Sequence, residues 1–211
     1  MGIVRCQISI SLDGFVAGPN QSEENPLGEG GERLHEWAFK TRAWRAPHGL
    51  EGGEEDADSK VIEEVFQNVG AYIMGRNMFG GGPGPWDENW RGWWGEDPPY
   101  HTPVYVLTHH PREPLVMQGG TTFYFVTDGP DEALSQAQAV SGDKDVVIAG
   151  GASAVRQYLA AGDLEELYLH IAPILLGDGE RLLEDVGERE LEPLEAIHSP
   201  AVTHVKYRVA R

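Results

Sequence analysis

From Ile3 to Leu12 the chain alternates: Val4, Cys6, Ile8, Ile10 and Leu12 fall on one side and Arg5, Gln7, Ser9 and Ser11 on the other. This period of two predicts a strand. Asp13-Gly14 stops it, and Phe15 to Asn20 is expected to be a loop that turns away from the sheet. A polar, glycine-rich surface loop follows to residue 31. The apolar spacing then lengthens. Leu34, Trp37 and Ala38 predict a helix within Glu32 to Trp44, and Val61, Ile62, Val65 and Phe66 predict a second from Ser59 to Asn68, with Asp58 or Ser59 as its N-cap. The acidic stretch between them, Pro47 to Asp58, reads as a solvated insertion. Short apolar runs at 71–74, 104–107 and 122–126 predict further strands. A helix from Asp128 to about Val140, with Asp128 as cap and Pro130 in its first turn, follows the last of these.

The run from Asp145 to Gly162 organises the rest. Val146 to Ala149 is continuously apolar, as a strand buried on both faces would be, and Gly150-Gly151 ends it abruptly. Val155, Tyr158 and Leu159 then mark one face of a helix that Gly162 can close. Leu164 to Leu176 predicts a long strand, with Pro173 marking a bulge or an edge, and Leu191–Ile197 with Val202–Val209 predict a hairpin around Ser199-Pro200. Strands alternate with helices and then helices stop. That order predicts an α/β chain with helices on both faces of a mostly parallel sheet and an antiparallel hairpin at its C-terminal end.

Composition narrows the partners. A chain of 211 residues with 40% hydrophobic content is expected to fold as one domain over 1–211. No apolar run reaches the length of a membrane span and the N-terminus lacks a signal-peptide pattern, so a cytoplasmic protein without a membrane partner is expected. Cys6, the single cysteine, lies in an apolar segment and is expected to be a buried, inert thiol. A formal charge of −18, with sixteen basic residues among thirty-four acidic ones, argues against nucleic acid as partner. A phosphate-bearing small molecule would need a local basic cluster.

Such clusters occur at strand ends. Gly150-Gly151 before a helix leaves backbone N–H groups beside a surface without Cβ atoms, which suits a diphosphate and is equally an ordinary tight turn. Gly75-Arg76-Asn77 ends another strand with a cation, and Thr108, His109 and Arg112 offer a hydroxyl and cations at a third. His109-His110 lacks neighbouring ligands at metal spacing, so no metal is expected. The segment Trp86, Trp90, Trp93, Trp94 either packs on its own aromatics, closes over an aromatic ligand, or pairs two chains as a homodimer.

Four signatures in order, Ser11-Leu-Asp-Gly14, Met74-Gly-Arg-Asn77, Val104-Tyr-Val-Leu-Thr108 and Val147-Ile-Ala-Gly-Gly-Ala152, resemble the dihydrofolate reductase superfamily over nearly the whole chain. With His170-Ile-Ala-Pro-Ile-Leu-Leu-Gly-Asp-Gly179, the chain is most similar to the reductase domain of riboflavin-biosynthesis deaminase-reductases, the RibD C-terminal domain and its stand-alone relatives. The resemblance implies a three-layer α/β/α dihydrofolate reductase-like fold and NADPH across the C-terminal strand ends. Val16 and Ala17 would lie near the nicotinamide, and Gly75, Arg76 and Asn77 on the adenosine side. Thr108, with His109 beside it, would meet the 2′-phosphate, and Gly150, Gly151, Ala152 and Ser153 the diphosphate. A cis peptide bond at Gly150-Gly151 is implied too, since the matching pair carries one in dihydrofolate reductases. Those enzymes hold their pterin with a carboxylate on the first helix. Glu36, one residue out of register, is the nearest match, and Asp13 is the other candidate, although it could equally cap the turn after the first strand. The expected activity is NADPH-dependent reduction of a small heteroaromatic or imine-like molecule of pterin or aminopyrimidine type. The alternatives are a dihydrofolate reductase proper and a non-catalytic nucleotide-binding protein on the same fold. No deaminase zinc signature accompanies it.

Overall fold

The computed structural model describes residues 2–210. β1 (Val4–Ser11) and β2 (Phe15–Ala17) precede three helical pieces, α1 (Glu36–Phe39), α2 (Arg42–Arg45) and α3 (Ala57–Val65). β3 (Val69–Gly75) runs directly into α4 (Arg76–Phe79) and is followed by β4 (Pro103–Leu107), β5 (Leu115–Val116) and β6 (Thr122–Val126). Then come α5 (Pro130–Ser141), β7 (Asp145–Gly150) and α6 (Ala152–Ala161), and finally β8 (Glu166–Ala172), β9 (Glu180–Arg181), β10 (Leu191–His198) and β11 (Thr203–Val209).

Nine strands form one sheet in the order β10-β11-β8-β1-β7-β3-β4-β6-β5. From β8 to β6 every neighbouring pair is parallel, and β11 and β5 join antiparallel at the two sides. One face buries Cys6, Ile73, Ile148 and Leu167 against Ala137 of α5 and Val155 and Leu159 of α6. Burial there pushes the Cys6 thiol up to about 12, so it stays protonated and inert. On the other face, Tyr72, Met74, Val104, Val106 and Val147 meet Phe79 and the aromatic segment after it, while α1 and α3 cover the β8 and β11 side.

The polar side of β1 is not a solvent face. Ser9, His170 and His204 stand opposite one another on β1, β8 and β11. Trp37 of α1 lies over both imidazoles, at ring-centroid distances of 5.0 and 4.8 Å, and donates its indole N–H to the Ser9 hydroxyl. Asp58 of α3 accepts from the Ser199 hydroxyl at 2.8 Å and from His204 Nε2 at 3.1 Å, and the Nδ1 atoms of His204 and His170 lie 2.8 Å apart. With its Nε2 proton directed at a carboxylate, a neutral His204 leaves Nδ1 as an acceptor, so His170 donates from Nδ1. Asp58 is thus a buried anchor of α3, not its cap. Asp56 caps the helix, accepting from the Ser59 N–H.

Other expectations shift for local reasons. The helix expected over 32–44 is broken: Thr41 adopts an extended conformation and its hydroxyl accepts from the Trp44 N–H, starting α2 afresh. Asp128 does not cap α5; Gly129 occupies that position without a side-chain hydrogen bond. Phe15–Ala17, expected to be loop, pairs with Glu180–Arg181 in a separate two-stranded ribbon. Pro173 makes neither a bulge nor an edge within β8, which stops at Ala172 between β1 and β11.

Candidate functional site

The C-terminal ends of β1, β7, β3 and β4 open onto a cleft of about 800 Å³. At its centre Gly150 ends β7 with φ 130°, a conformation that suits glycine, and the Gly150-Gly151 peptide bond is cis. Gly151 begins α6 without a side-chain cap hydrogen bond, and a Cβ placed on it would meet nothing within 4 Å. Bare main chain and the first N–H groups of α6 therefore face open space, the arrangement that accepts a diphosphate. Ala152 and Ser153 continue the same wall.

On the next strand Gly75 leads to Arg76, whose guanidinium lies 3.7 Å from the centroid of the Trp86 ring. All three of its side-chain nitrogens are buried without a hydrogen-bond partner. Burial, with Arg112 nearby, pushes Arg76 below its usual value, yet a guanidinium remains charged at neutral pH. A buried cation whose three nitrogens make no hydrogen bond is costly unless an anion completes it. Trp86 donates its indole N–H to the His110 carbonyl, which fixes this cation beside the turn after β4. There the Thr108 hydroxyl accepts from the His110 N–H at 3.1 Å, and Thr108, His109 and exposed Asn77 line the same cleft. Val16 and Ala17 of β2 line it from the β1 side.

Three expected residues stand elsewhere. Asp13 does not line the cleft: its carboxylate accepts from the Ser11 hydroxyl at 2.6 Å and from the N–H groups of Leu176 and Gly177 at 3.1 and 2.7 Å. The Ser11 hydrogen bond first, then the Gly177 and Leu176 N–H groups, hold it down at about 2, so it fastens a turn and carries no proton for chemistry. Glu36 is exposed and also outside the lining. The buried stripe of Leu34, Trp37 and Ala38 puts it on the opposite side of the turn, while His35 and Phe39, four residues apart, line the cleft. Arg112 donates to the carbonyls of Glu88 and Trp90 and lies over Trp86 and Phe125, fastening the aromatic segment.

His35 is the residue that reading the sequence missed. Its position beside the buried stripe carries no chemical signature in the sequence. Burial pushes its imidazole down to about 4, so it is neutral at pH 7. The tryptophans differ in their surroundings. Trp86 packs on Phe79 and Phe125, and Trp90 donates to the Phe79 carbonyl, whereas Trp93 and Trp94 reach the cleft. Gly80 permits this, since a Cβ there would stand 2.6 Å from Trp93.

No curated protein sequence matches the chain. Solved structures do. A protein from Shewanella sp. PV-4 named for riboflavin biosynthesis matches at 20% identity with TM-score 0.64, each chain covering 100% of the other. Dihydrofolate reductase from Enterococcus faecalis, solved with NADP(H), matches at 15% identity and TM-score 0.54, over 100% of this chain and 98% of that one. A Thermotoga maritima diaminohydroxyphosphoribosylaminopyrimidine deaminase/5-amino-6-(5-phosphoribosylamino)uracil reductase matches at 13% identity and TM-score 0.55, over 99% of this chain but 57% of its own. These likenesses show the dihydrofolate reductase-like fold. The family model of the RibD C-terminal domain matches residues 3–205, nearly the whole of the sheet and its helices, and the chain belongs to that family.

Proposed function

We propose that the protein is an NADPH-dependent reductase of a small heteroaromatic or imine-like substrate of the pterin or aminopyrimidine type. The observation that carries this reading is the buried, unpartnered guanidinium of Arg76 in the same cleft as the uncapped start of α6. A dinucleotide carrying an extra phosphate supplies anions to both. The backbone from Gly150 to Ser153 would hold the diphosphate, and Arg76 with Thr108 the 2′-phosphate. Bound NADPH supplies a hydride. The chain has to place an electrophilic carbon against it, exclude water and hold a proton within reach. Val16 and Ala17, both buried, form a dry floor, and the His35 ring and the Glu180 carboxyl are titratable side chains lining the cleft beside it that could hold a proton. The Thermotoga maritima protein's name supplies the aminopyrimidine class, and a cytoplasmic setting suits the cofactor.

Titration with NADPH and NADH tests this. NADPH is expected to bind at least about tenfold tighter, roughly 1.4 kcal/mol, and Arg76→Ala to remove the difference. Equal affinities in the unmodified protein, or a preference that survives Arg76→Ala, would overturn the assignment. Oxidation of bound NADPH by a reducible pterin or pyrimidine separates a reductase from a protein that only binds nucleotide.

A further inference from the structure

The cleft has two ends of different chemistry, and the second carries information about the other ligand. We propose that the substrate half takes an uncharged, planar heterocycle that bears no phosphate or carboxylate tail. This rests on the reductase reading above and adds what the substrate must lack.

The wall of that half is formed by Ile8, Val16, Ala17, Leu27 and Phe39, with His35 and, across the ribbon from Ala17, Glu180 as titratable groups beside it. Apolar surfaces with a few polar groups along one edge suit a flat ring that presents one hydrogen-bonding side. A phosphate would need a cation there, since burying an uncompensated anion is strongly unfavourable. Among the described residues lining the cleft, Arg76 is the only arginine or lysine, whereas Glu180 brings a carboxylate to the Ala17 side. Arg76 is held by Trp86, which is itself fixed to the His110 carbonyl beyond β4. The arginines nearest Glu180 along the ribbon are committed: Arg181 lies over Phe15 and donates to the Asp13 carbonyl, and Arg156 donates to the Arg181 carbonyl and pairs with Glu184. The adjoining recess is lined by Glu23 and by the same Arg76, so a tail leaving toward that mouth meets a carboxylate and no second cation. One cation cannot serve both the cofactor's extra phosphate and a substrate phosphate.

The test is calorimetric titration of the full chain, first with NADPH and then, at saturating NADPH, with 5,6-diaminouracil and with 5-amino-6-(5-phosphoribosylamino)uracil. The free base is expected to bind at least about tenfold tighter than its phosphoribosyl congener. Phe39→Lys, which adds a cation to this wall, is expected to narrow that ratio at least about tenfold. Equal or tighter binding of the phosphoribosyl compound, or no binding of either compound to the NADPH-saturated protein, overturns the substrate assignment and leaves the cofactor reading intact. Failure to bind NADPH in the first titration overturns both.

Discussion

The Asp13 carboxylate is saturated by one hydroxyl and two backbone N–H groups, and through them the loop after β8 is tied to the turn after β1. Asp13→Asn should therefore lower the Tm while leaving the NADPH Kd unchanged; a selective loss of affinity would return Asp13 to the site. The sign with pH follows from its depressed value. The contribution is fully present above the unfolded value near 3.8 and disappears as pH falls through about 2. Gly151 makes the opposite case. Its φ of −69° suits any residue and a methyl has room, so Gly151→Ala should keep its far-ultraviolet circular dichroism. The methyl would nevertheless occupy the space offered to a diphosphate, and the NADPH Kd should rise at least about tenfold. An unchanged Kd would place the diphosphate elsewhere. The paired glycines, Arg76 and Thr108 were legible in the sequence because each breaks a strand pattern with a residue of special chemistry. His35 was not, because a histidine beside an apolar stripe announces nothing until the cleft is seen.

At the level of elements, α3 was readable from its periodicity, but the reason for its position was not. Nothing in the spacing of Asp58, Ser199 and His204 says that they meet; only the pairing of β8 with β11 under α1 and α3 brings them together. Asp58→Ala would strand two donors in a buried site, and urea unfolding should show a loss of about 2–4 kcal/mol. The same layer makes stability depend on pH. His170 is held well below 6.5, chiefly by burial, and His35 down at about 4. Above 6.5 both are neutral, folded or unfolded, and contribute nothing; below it the unfolded chain takes up protons that the fold refuses. Unfolding free energy should thus fall between pH 6.5 and 4, by up to about 1.4 kcal/mol per pH unit for each histidine. A flat profile over that range would mean that these rings are solvated. The broken helix at 36–45 was beyond a periodicity argument, since Thr41 acts through one local hydrogen bond.

Across the whole molecule, the alternation of strands and helices carried the parallel sheet, and the hairpin at its end followed from turn residues. The two-stranded ribbon and β5 escaped because runs of two or three residues have no measurable period. The placement of charge has a kinetic consequence. A surface of net charge −18 repels an incoming dinucleotide, while Arg76 acts at short range from a buried position. Raising ionic strength from about 0.01 to 0.15 M should therefore speed NADPH association in stopped-flow measurements, because over that range the screening length falls from roughly 30 to 8 Å. Association that slows with salt would mean that attraction dominates at long range.

Trp86 lies between two guanidinium groups, with Arg76 3.7 Å and Arg112 5.4 Å from its ring centroid and its indole proton held by a carbonyl. An indole's emission responds to the electric field across its ring. Any anion that settles on Arg76 should change the light this tryptophan gives off, so the chain carries an unlabelled gauge of occupancy, readable by difference against Trp86→Phe.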